Sequence, residues 1–212
     1  MNPRTFIRNL LLGFLPILAY IIADEVFTSH YGEHNGTRYA LIFAISLGVV
    51  QTIIVYVREK RIDKMVLFDT ALLLGMGGIS LLSGNDLFFK LKPAIAELLV
   101  VILLFVVSFF NPKLLLFLMG RMSKGVELTD LHFAAMQKAA RGLFVVMALH
   151  TALVVFAALS MSKGAWGFIS GPLFYIVCGM FFLFTVVSGR LRKNKSIPER
   201  KFVYEPRRRI RK

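Results

Sequence analysis

The sequence predicts an all-α protein, a polytopic membrane helix bundle of about six transmembrane segments, and three observations lead there. Of its 212 residues, 57% are hydrophobic and 18% charged, with a mean hydropathy of +0.68, more apolar matter than a soluble domain hides. The apolar residues, twenty Phe among them, come in long Leu/Val/Ile runs broken by short charged patches, as expected when a bilayer is the solvent. The basic residues sit between those runs, so the formal charge of +14 reads as a topology signal, and no nucleic-acid partner is expected.

Within a membrane domain covering 1–189, the apolar runs place spans near Leu10–Ala23, Tyr39–Val57, Met65–Leu82, Ala94–Phe110, Leu143–Leu159 and Gly171–Val187. A run of about 17 residues rises about 26 Å, so flanking residues must help it cross a hydrocarbon core of roughly 30 Å. The first run is short enough to be re-entrant. Pro16 interrupts it and no small-x-small cleavage site precedes Asp24 and Glu25, so it reads as a membrane segment and not as a cleaved leader. The stretch after it, with Gly32, Asn35 and Gly36, reads as a turn-rich loop.

The segment Asn111–Gly142 is too polar to span. Leu114–Leu118, Met119, Leu128, Leu131, Phe133 and Met136 recur at spacings that fit one or two short interfacial helices, the second capped by Thr129 and Asp130. The tail Arg190–Lys212 carries 11 basic and 2 acidic residues. Anionic inner-leaflet lipid attracts such a segment by up to about 1 kcal/mol per basic residue, so membrane lipid is the partner expected for it.

Orientation follows from the same charges. With six spans and both termini in the cytoplasm, 22 of the 26 Lys and Arg fall on the cytoplasmic side. The four exceptions are Arg38, Lys90, Lys92 and Lys163.

Ionisable residues inside spans are expensive and mark function by default. Asp69 lies one turn into the third run and Glu97 one turn into the fourth, where Lys64 or Arg61 and Lys90, respectively, could neutralise them. His150 stands near the middle of the fifth run beside Thr151, as a helix-to-helix hydrogen bond or as one station of a proton path. Asp69, Glu97 and His150 together support a small transporter or channel subunit as the alternative to a non-enzymatic role. Gly75, Gly77 and Gly78, in LGMGGIS, read as a close helix contact, because a P-loop would need a following Lys-Ser/Thr. His30 and His34 could share a metal only on a helix, which the turn signals around them oppose, so no metal or cofactor is expected. The lone Cys178 has no disulfide partner in the chain. Nucleophile-elbow, HExxH and CxxC patterns are absent from the sequence, which argues against an enzyme.

From Asp86 the chain reads DLFFKLKPAI, directly after the glycine-rich GMGGISLLSGN. This resembles the intracellular septation protein A family, the YciB-type inner-membrane proteins of bacteria. FLPILAY at Phe14–Tyr20, the basic stretch Val57–Met65, MGRMSKGVELTD and FTVVSGRLR are similar to the family's corresponding segments, so the likeness runs over most of Phe14–Arg192. Ser80 and Ala94 stand where the family usually has Thr, and Glu97 falls in a helix that is normally uncharged there. The resemblance implies a bacterial inner-membrane role in envelope maintenance and septation through contact with other envelope or division proteins; the sequence is also compatible with a homo-oligomer. The resemblance also draws attention to Asp86, Phe88, Phe89, Lys90, Lys92 and Pro93 as an ordered hairpin. There the two Phe would avoid water, the two Lys would snorkel to headgroups and Pro93 would open the fourth helix.

Overall fold

The computed structural model describes residues 3–60, 64–111, 114 and 130–193. Helix α1 is Pro3–Tyr31, α2 Glu33–Glu59, α3 Lys64–Ser83, and α4 Leu87–Phe105 prolonged by a π turn, Val106–Phe110. Helix α5 is Asp130–Ser160, and α6, Lys163–Phe168, runs through a π turn, Ile169–Leu173, into α7, Phe174–Lys193. The described residues contain no strand, so the fold is all-α as expected.

Five stretches, Glu33–Arg58, Val66–Ser83, Leu87–Phe110, Phe133–Ser160 and Lys163–Gly189, are long and apolar enough to cross a membrane by length and composition. Helix α1, with 29 residues, rises about 43 Å and is also long enough. It is not a short element ending at Ala23. It continues past Asp24 and Glu25, because the Asp24 carboxylate finds partners inside the protein.

The turn-rich loop expected between the first two runs shrinks to Gly32, at φ 79°, after which helix resumes at Glu33. Asn35 and Gly36 are therefore helical. A Cβ at Gly36 would run into the backbone of Thr28, so α1 and α2 approach backbone to backbone, and that packing outweighs local turn preference. Helix α4 likewise starts earlier than the apolar run, at Leu87, which puts Pro93 inside it instead of at its head. Asp130–Ser160 is one continuous helix, so 130–142 runs into the fifth span and is not a separate interfacial helix. Residues 112–113 and 115–129 of that expected interfacial segment, and the basic tail beyond residue 193, lie outside the described residues.

Each π turn has a local cause or a local consequence. Pro172 has no N–H for the Phe168 carbonyl one turn back, and the helix widens there. At the end of α4, the Asn111 N–H reaches the Val106 carbonyl at 2.8 Å, an i→i+5 closure.

The chain divides into two compact units, Met1–Leu98 with His150–Ile176, and Leu99–Leu149 with Val177–Lys212. The first has a core of Tyr20, Leu41, Leu73, Phe89, Val154 and Trp166, interleaved with fully buried Ala40, Ala44 and Ala157. Small residues at helix contacts suit a bilayer, where van der Waals packing must replace the hydrophobic drive. In the second unit, Phe105, Phe109 and Phe144 stack with centroids 5.4–5.6 Å apart. There the Arg141 guanidinium lies 5.5 Å from the centre of the Phe109 ring and donates to the Ser108 carbonyl at 3.4 Å. Ile22, Val57, Leu149, Phe182 and Phe184 are largely exposed, as side chains facing lipid are.

Candidate functional site

The first unit gathers charged side chains near the α1–α2 and α3–α4 turns. Asp24, one residue past the apolar run of α1, receives Lys163 Nζ on both carboxylate oxygens at 2.7 Å. Thr37 of α2 donates to the same carboxylate at 2.8 Å and accepts from Lys163 at 3.0 Å. Asp86 pairs with Lys90 one helical turn later, at 2.9 Å, accepts the Tyr20 hydroxyl, and lies 3.8 Å from Lys163 Nζ. Two carboxylates and two ammonium groups thus neutralise one another within one cluster, the condition for holding charge away from water.

Backbone and aromatic contacts fix this cluster in place. Ser80, fully buried at the end of α3, accepts the Phe89 N–H at 2.8 Å and so caps the first turn of α4. The Trp166 indole donates to the Lys90 carbonyl at 3.0 Å. Tyr20, Phe89 and Trp166 pack ring against ring, with Tyr20 and Phe89 centroids 4.8 Å apart and Trp166 6.4 Å from each. Beside them opens a cavity of about 490 Å³, lined by Glu33, His34, Thr37, Asn85, Asp86, Lys90 and Lys163 among others.

Two further pairs lie in the same unit. Lys92, 4% exposed, reaches Asp69 with its Nζ 2.9 and 3.0 Å from the two carboxylate oxygens. His150 is buried, its Nε2 3.1 Å from the Ile169 carbonyl and its Nδ1 2.9 Å from Glu97 Oε2. A carbonyl only accepts, so Nε2 carries a hydrogen. One proton then lies between Nδ1 and Glu97, on the ring as an imidazolium–carboxylate pair or on the acid facing a neutral ring. Either way the pair is neutral. Thr151 donates to the same Glu97 oxygen at 3.2 Å.

These contacts place the sequence-selected residues. Asp69 meets Lys92, not Lys64 or Arg61, and Glu97 meets His150, not Lys90. Lys90 and Lys92 turn inward instead of snorkelling to headgroups, because Asp86 and Asp69 offer them closer counter-charges. Asp86–Pro93 is ordered, as the first turns of α4 rather than as a hairpin, with Phe89 buried and Phe88 and Pro93 half-buried. A Cβ at Gly77 would sit 2.6 Å from Ile45 of α2, whereas Gly75 and Gly78 face open space. His30 and His34 fall in different helices on either side of Gly32.

Sequence reasoning did not select Asp24, Tyr20, Ser80, Lys163 or Trp166. One signal for Lys163 was present. Of the four basic residues outside the segments expected to be cytoplasmic, Lys90, Lys92 and Lys163 each hold a carboxylate here. A basic residue on the unfavoured side of a membrane is a candidate for internal pairing.

Comparison with known proteins bears on what this arrangement belongs to. A curated protein of Acidithiobacillus ferrooxidans, named inner membrane-spanning protein YciB, is 32% identical over 112 residues, 53% of this chain and 56% of the relative. Proteins of the same name from Hydrogenovibrio crunogenus and Rickettsia massiliae are 32% identical over 89 residues (42% of this chain, 38% of the relative) and 30% over 81 (38% and 45%). The chain spans about half the length of the first of these relatives, and less of the other two. No solved structure matches. The family model described as intracellular septation protein A matches residues 9–196, close to the whole length, and the chain belongs to the intracellular septation protein A family.

Proposed function

We propose that this chain is a non-enzymatic inner-membrane protein that serves envelope maintenance and septation by associating with other envelope or division proteins. The observation that carries this reading is the pairing of charge. Asp24, Asp69, Asp86 and Glu97 each hold a basic partner, Lys163, Lys92, Lys90 and His150, among the described residues. Charges that neutralise one another locally give little field to draw an ion along a path, and they suit a rigid scaffold better than a conductor. The family description and the name its relatives share support septation and the inner membrane. The single proton held between Glu97 and His150 favours a second reading, a small transporter or channel subunit using these two residues and Asp69.

Complementation of an envelope defect in a deletion strain separates the two. His150→Gln, Glu97→Gln and Asp69→Asn keep hydrogen-bonding atoms but cannot take up and release a proton near neutral pH. Association expects each variant, at normal membrane abundance, to restore growth and division. Loss of complementation by all three at that abundance would place the transporter reading first.

The charge distribution supports both termini in the cytoplasm, with the 190–212 tail on anionic inner-leaflet lipid. A reporter fused after Lys212 should be cytoplasmic. Cysteines at Asn35 and Gly164, both exposed, should react with an impermeant reagent from outside. Protection of both positions, with the reporter periplasmic, reverses the topology.

A further inference from the structure

We propose that the cavity beside the α1–α2 and α3–α4 turns binds a zwitterion carrying a primary ammonium and a phosphate, the chemistry of an ethanolamine-phosphate headgroup. The unused hydrogen-bonding capacity of its walls sets the class. Lys163 contributes nothing further, since its three N–H groups already serve the two Asp24 oxygens and Thr37. Asp86 accepts the Tyr20 hydroxyl on Oδ2, the oxygen nearest Lys90 and the more distant Lys163, and its Oδ1 accepts no hydrogen bond among the described residues. Glu33 at the rim likewise has none. Those two carboxylates accept from an ammonium.

The donors are also present. Lys90 uses one N–H on Asp86 and has two more, while Asn85 commits its carbonyl oxygen to the Leu87 N–H and keeps its amide hydrogens. With the His34 ring they converge on one cavity. A phosphate, with several acceptor oxygens, satisfies such a set. Charge excludes simpler ligands. Asp24, Asp86 and Glu33 against Lys90 and Lys163 leave a formal net charge of −1, too little to compensate the dehydration of a lone phosphate or divalent cation. A trimethylammonium group would need open aromatic faces. Here Phe89 and Trp166 are buried, and Lys163 Nζ already lies 5.8 Å from the centre of the Tyr20 ring.

Trp166, the chain's single Trp, reports on the site through its bond to the Lys90 carbonyl. The full chain in detergent is titrated with phosphoethanolamine, following indole fluorescence and thermal stability together. A saturable response is expected, with phosphocholine, inorganic phosphate and ethanolamine each at least about tenfold weaker, and with Glu33→Gln weakening phosphoethanolamine about tenfold while the unliganded melting temperature stays unchanged. Nanodiscs distinguish the sources. If the ligand is a lipid headgroup, the free probe responds in phosphatidylcholine discs and not in phosphatidylethanolamine discs, where the site is filled. If it is a free metabolite, both respond. The proposal is overturned if neither readout saturates, if phosphate or phosphocholine matches phosphoethanolamine, or if Glu33→Gln binds as tightly as the natural chain.

Discussion

Lys163→Met should destabilise the folded protein by about 3–5 kcal/mol, the range seen when one partner of a buried ion pair is removed. The reason lies at Asp24, which is 7% exposed and receives Lys163 on both carboxylate oxygens at 2.7 Å. Methionine fills the space of the lysine stem but leaves that carboxylate with the Thr37 hydroxyl in place of an ammonium. The double variant Asp24→Leu/Lys163→Met removes both charges and should recover most of the loss. Equilibrium unfolding in mixed detergent micelles measures all four corners of the cycle. Equal and additive losses from the two single variants would mean that the pair contributes nothing as a pair.

Trp166→Ala should cost a similar amount, about 3–5 kcal/mol, because it empties the largest fully buried side chain in the first unit. It also leaves the Lys90 carbonyl without the indole donor, and opens space beside Tyr20 and Phe89. Trp166→Phe separates these contributions. It keeps a ring in place and removes the donor, so its cost should fall to about 1–3 kcal/mol. The same unfolding assay reads both variants, with circular dichroism as the signal since the indole is gone. If Phe is as damaging as Ala, the hydrogen bond to α4 contributes more than the packing does.

The two substitutions act on the region that local sequence described least. DLFFKLKP carried the family likeness, and it is ordered, but its order comes from residues outside it, two of them far along the chain. Ser80 caps it, Trp166 holds its carbonyl, and Tyr20 reaches Asp86 across 66 positions. Lys92 was expected at the headgroups and instead points to Asp69, because a counter-charge at 2.9 Å outweighs the gain from partial hydration.

By itself the sequence determined the class of protein, the existence of the spans and the family. Each rests on sums over neighbouring residues. Transfer from water to lipid is nearly additive along a run, so the apolar stretches at 39–57, 65–82 and 94–110 identify helices without knowledge of their neighbours. Only the tertiary structure decided which charges meet and which glycines matter. Asp24 and Lys163 are 139 positions apart, and Glu97 and His150 are 53. Gly36 and Gly77 lie at close contacts while Gly75 and Gly78 do not. Pairing energy depends on the distance between two groups and on what shields them from water, and a window of adjacent residues contains neither. A glycine likewise reveals that a backbone can come close, but which backbone does so is set by how the helices cross.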